Sequence, residues 1–125
     1  TLLISHDLGV IAELGGQVAV MYAGRIVESA PAAELMAAPG HPYTKGLMAC
    51  RPKLPAPGQP LDRQARLPAI PGHVPALSQL PSGCTFRDRC AYAMPVCAEK
   101  IPVFFEAGPE HQVRCWLFAG QEEAE

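Results

Sequence analysis

Four cysteines, Cys84, Cys90, Cys97 and Cys115, sit in a stretch that Pro81, Pro95, Pro102 and Pro109 flank or interrupt, at intervals C-x5-C, C-x6-C and C-x17-C. A segment this short and this broken by proline buries little apolar surface by itself. Units of this kind are held by disulfides or by a metal. Four thiolates are the number that satisfies a tetrahedral zinc ion or a cubane iron–sulfur cluster. A fifth cysteine, Cys50, lies outside the cluster, so the count is odd. With no secretory signal at the start of the chain, a metal site is a better default than a disulfide framework. Structural zinc usually shows close C-x2–4-C pairs; their absence tilts the choice toward iron–sulfur, with zinc as the alternative. A site of three cysteines and His111 is less economical than four cysteines.

The remainder of the chain reads in order. Thr1 to Ser5 (TLLIS) is a short apolar run of the kind that forms a buried parallel strand. Such a strand needs neighbours, so the expectation is a C-terminal fragment whose sheet lies upstream. His6-Asp7 fall at the strand's carboxyl end, where open α/β sheets keep their ligand sites. Asp7 is placed to cap a helix from Leu8 to about Leu14, stopped by Gly15-Gly16. QVAVMY (17–22), a tight turn at Ala23-Gly24 and RIVE (25–28) predict a hairpin. Pro31 opens one short helix and Pro42 another, the second ending near Cys50. Eight of the 14 prolines fall between Pro52 and Pro81, which predicts an extended linker. Trp116-Leu117-Phe118 reads as a packed end and QEEAE (121–125) as a solvated tail.

Composition sets limits on function. The net charge is −2 with no basic run, which argues against nucleic acid as a partner. No apolar run approaches the ~20 residues that span a bilayer. Met21, Met36, Met48 and Met94 are core candidates, Cys50 reads as a buried helix residue, and Tyr22 and Tyr43 read as packing residues. A Ser5-His6-Asp7 hydrolase triad is excluded, because three consecutive residues cannot converge on one point.

ISHDLGVIAELGGQVAVMYAGRIVE resembles the last third of an ABC-transporter nucleotide-binding domain. HPYTKGLMACRP resembles the motif of the oligopeptide/dipeptide importer subfamily, and LPAIPGHVPALSQLPSGCTFRDRC its C-terminal extension. The resemblance implies an α/β fold: the C-terminal part of a P-loop ABC-type domain (residues 1–39), a helical connector and proline-rich linker (40–81), and an irregular cysteine-rich metal or iron–sulfur lobe (82–125). It implies that His6 is the switch histidine, contacting the γ-phosphate of ATP and orienting the attacking water. It implies a [4Fe–4S] cluster on Cys84, Cys90, Cys97 and Cys115. Arg87, Arg89 and Arg114 are candidates to offset that cluster's negative charge. ATP with Mg²⁺, a second nucleotide-binding subunit, a transmembrane permease and an extracytoplasmic peptide-binding protein follow as cofactors and partners, at the cytoplasmic face of the membrane. The phosphate loop, ABC signature and Walker B carboxylates are not in this sequence, so this chain alone is not expected to hydrolyse ATP. Where this family commonly has a small residue, Asp and Arg or His, Leu14-Gly15-Gly16-Gln17 removes any salt bridge. The competing reading is a four-cysteine metal-binding interaction module with no ATPase role.

Overall fold

The structure, a computed structural model, describes residues 1–52, 55–60, 64, 66 and 68–120. Its centre is a four-stranded antiparallel sheet in the order β1-β2-β4-β3. Strands β1 (Gln17–Tyr22) and β2 (Arg25–Pro31) form the expected hairpin. Its two-residue turn holds Ala23 and Gly24 at φ 45° and 76°, the left-handed pair that a tight hairpin twist requires. Along β1, Val18, Val20 and Tyr22 face inward while Ala19 and Met21 face out, the period of two that a half-buried strand imposes.

The second half of the sheet comes from the cysteine-bearing end of the chain. β4 (His111–Val113) pairs with β2, setting Glu28 opposite Val113, and β3 (Phe105–Gly108) pairs with β4. The hairpin and the C-terminal strands therefore share one hydrogen-bonded sheet. Phe86, two residues from Cys84, closes the core: it is buried, edge-on to Tyr22 at 5.1 Å and tilted against Tyr43 at 5.5 Å. Aromatic pairs of this kind contribute about 0.5–1.5 kcal/mol each beyond area burial. Val20, Val27, Ala30 and Leu35 complete the cluster.

Two helices, through Leu35 and through Tyr43, Leu47 and Met48, pack on this core. α1 (Leu8–Leu14) is capped by Asp7, whose Oδ1 accepts the Gly9 and Val10 N–H groups, and Gly15 ends it at φ 68°. α2 (Ala32–Ala37) buries Leu35. α3 (Pro42–Ala49) has Pro42 in its first turn and His41 as cap. Gly46 inside α3 lacks the Cβ that would meet Ile70 at 2.8 Å, so the proline-rich segment seats an isoleucine against the helix. The Cys50 thiol donates to the Pro68 carbonyl at 2.8 Å, and Arg89 Nε donates to the Pro71 carbonyl at 2.8 Å. α4 (Pro95–Glu99) carries Cys97, and single 3-10 turns span Leu77–Gln79, Arg87–Arg89 and Trp116–Phe118.

Several expectations need correction. The strand over 1–5 does not form; Leu2 and Ile4 are 87% and 88% exposed. A parallel strand needs hydrogen-bonded neighbours, and the sheet of the described residues is built from the other four strands. Met21 is 61% exposed, because the period of β1 turns it to the outer face. Cys50 is a half-buried helix C-cap, not a buried interior residue. The tail at 121–125 lies outside the described residues.

Candidate functional site

The four cysteines reach one small, apolar-walled cavity from separate pieces of chain. Cys84 follows the Gly83 turn, its N–H donating to the Cys97 carbonyl at 2.7 Å. Cys90 ends the Arg87–Arg89 turn, and its sulfur accepts the Tyr92 N–H at 3.4 Å. Cys97 lies in α4, its sulfur accepting the Met94 N–H at 3.4 Å, and Cys115 follows β4. All four are free thiols, and among the described residues no carboxylate lines the cavity.

Burial pushes the Cys84 and Cys90 thiols up, helped by repulsion from the other sulfurs. Cys115 is pushed up to about 11, again chiefly by burial. These groups are thiols at neutral pH, so a thiolate-binding centre displaces protons as it loads. Among the described residues, no three His, Cys, Asp or Glu side chains are gathered so as to hold a single metal ion.

Of the three flanking arginines, only Arg87 borders the cavity. Its Nη1 donates to Ser82 Oγ at 3.0 Å and the Ala98 carbonyl at 3.2 Å. Arg89 turns to Tyr22, stacking over its ring at 5.8 Å, and Arg114 lies over Phe104 at 4.3 Å.

The histidines separate by role. His111 is not among the cavity residues: its Nε2 is 2.6 Å from Glu28 Oε1, and both side chains are buried. That pairing takes His111 away from the cysteines, so a site of three cysteines and this histidine does not form. His41 does border the cavity, and its Nδ1 accepts the Tyr43 N–H at 3.0 Å, capping α3. Accepting there requires a neutral ring. Burial holds the His41 pKa down to about 4, outweighing the opposing pull of Glu28.

A folded-state value below the ordinary histidine value means that the unfolded chain binds more protons between them. Stability is then fully present above about pH 6.5 and lost as pH falls toward about 4, on the order of 3 kcal/mol in all. His41→Asn keeps a cap acceptor but does not titrate. Urea midpoints between pH 7 and pH 5 should fall more steeply for the wild type than for this variant; equal slopes would refute the assignment. His6 lies exposed just before α1, and among the described residues no hydrogen bond engages it. Residue-by-residue reading of the sequence missed Glu28, whose signal was a carboxylate directly after Ile26 and Val27 in the strand.

The sequence matches the family described as oligopeptide/dipeptide transporter, C-terminal region, over residues 27–97. It is 50% identical over 113 residues, 90% of this chain, to a probable peptide ABC transporter ATP-binding protein of Sinorhizobium fredii. It is 45% identical over 122 residues, 98% of the chain, to a probable D,D-dipeptide transport ATP-binding protein of Escherichia coli. An oligopeptide transport ATP-binding protein of Bacillus subtilis is 44% identical over 114 residues, 91% of the chain. The alignments cover 32%, 35% and 30% of those relatives, so the chain spans about a third of their length. Among the described residues no helix is long and apolar enough to cross a membrane.

Proposed function

The chain belongs to the oligopeptide/dipeptide transporter C-terminal region family, and on that footing we propose that it is part of the ATP-binding subunit of an ABC importer that energises peptide uptake. The observation that carries this reading is the identity of 44–50% to peptide-transport ATP-binding proteins over nine tenths of the chain. The reading as a four-cysteine interaction module gains nothing comparable. In the intact subunit ATP and Mg²⁺ bind between two nucleotide-binding subunits. Their closure drives a transmembrane permease supplied by an extracytoplasmic peptide-binding protein. The subunit sits peripherally at the cytoplasmic face.

His6 serves as the switch histidine. Its exposure just ahead of a capped helix leaves the imidazole free to meet the terminal phosphate and the attacking water. Cys84, Cys90, Cys97 and Cys115 hold a [4Fe–4S] cluster. The support is the donor set: four thiols, apolar walls and, among the described residues, no carboxylate. When bound, such a centre supplies a covalent cross-link among four chain segments and a one-electron couple. Arg87, which borders the cavity and also pairs with Asp88 Oδ1 at 3.4 Å, would offset part of its charge, and the backbone N–H groups of Tyr92 and Met94 donate to the Cys90 and Cys97 sulfurs.

One preparation tests both parts. The intact subunit, purified without oxygen, should turn over ATP and carry about four irons and four sulfides per chain. Absence of turnover refutes the ATPase reading. Turnover with one zinc and no sulfide keeps the ATPase and removes the cluster, and turnover with no metal removes both metal readings.

A further inference from the structure

Glu28 is fully buried in β2, yet its carboxylate is satisfied from two separate pieces of chain. Oε1 accepts the Gly40 N–H at 2.6 Å and faces His111 Nε2 at 2.6 Å, while Oε2 accepts the His41 N–H at 2.9 Å. His111 belongs to β4, the strand that ends two residues before Cys115. Gly40 and His41 belong to the turn that opens α3, and the ring of His41 borders the cysteine cavity. The fit is tight: a Cβ on Gly40 would stand 2.7 Å from Val113 Cγ2 and 3.3 Å from Glu28 Oε1. A buried carboxylate is tolerable only when its acceptor sites are filled by donors, and charge-assisted bonds of this length are the strong ones. Removing one donor leaves the remaining charge under-solvated, so the three partners are energetically linked.

We propose that Glu28 is a positioning residue that couples the hairpin to the cysteine cavity, by holding the His41 wall and β4, the strand that leads into Cys115, to one carboxylate. His41 is the shared piece, bonded to Glu28 through its backbone and facing the cavity through its ring. What happens at the cavity therefore reaches β2 whether or not the cavity holds a cluster.

Amide hydrogen exchange on the full chain tests the coupling. Glu28→Gln keeps the shape but turns an NH₂ toward donors. It should raise exchange at Gly40, His41 and Arg114, whose N–H bonds Val27, together by about tenfold or more, with β1 amides unchanged. His111→Asn touches neither Gly40 nor His41, yet it should raise exchange at both. If His111→Asn affects β4 alone, the coupling is refuted. If β1 amides rise equally in both variants, Glu28 is only a contributor to global stability and the proposal fails.

Discussion

Replacing His6 by alanine in the intact subunit is expected to lower ATP turnover by about 10²–10³-fold, the range seen when one charge-stabilising donor is removed from a transition state, while ATP binding stays within a fewfold. The expectation follows from the role proposed for His6, because a contact to the γ-phosphate that matters for positioning water acts on the chemical step more than on binding. The structure makes the result easy to interpret. His6 is exposed, and no hydrogen bond engages it among the described residues, so its loss removes no packing and should leave the fold unchanged. Asp7, next to it, caps α1, and an alanine there would confound folding with chemistry. The informative comparison is His73→Ala, a second exposed histidine distant in sequence. Turnover should be unaffected in that variant. Undiminished turnover in His6→Ala would remove His6 from the mechanism.

How far the sequence discloses the molecule depends on the range over which each instruction acts. Local instructions were legible: Asp7 and Gly15 bound α1, Ala23-Gly24 turn the hairpin, and Pro42 opens α3. Each is decided by dihedral preference or by a hydrogen bond two or three residues away. The four cysteines singled out in the proline-broken stretch border one cavity.

What could not be read is long-range. Nothing in QVAVMY or HQV announces that β4 adds to the same sheet as the hairpin through β2. A three-residue strand carries too little periodicity to declare its partner. The same limit hid Glu28, whose three donors lie 12, 13 and 83 residues away. The apolar run at 1–5 is a different case: its neighbours were expected upstream, and no described strand pairs with it. It has the composition of a buried strand, but composition cannot supply the neighbours whose hydrogen bonds would make it one.

Gly83→Ala should be the most damaging single methyl added to this chain. Two separate penalties meet at this position. Its φ of +69° lies in the left-handed region, where a Cβ costs about 1–2 kcal/mol. A Cβ built there also meets the Cys97 carbonyl oxygen, with Ala98 C at 2.9 Å, and both are backbone atoms that no rotamer change can move. The Cys84 N–H bonds that same carbonyl at 2.7 Å, so any shift that relieves the clash pulls two of the cavity's four cysteines apart. Gly58 separates the two penalties. It sits at φ +90°, and no atom of the described residues comes within 4 Å of its would-be Cβ. Gly58→Ala should therefore lose only the backbone penalty, about 1–2 kcal/mol. Gly83→Ala should lose more than about 4 kcal/mol, a size reserved for backbone strain and core disruption. Urea midpoints of the two variants give the comparison directly. Equal midpoints would mean that the approach of Gly83 to Cys97 is not part of the native structure, and that the cavity is assembled some other way.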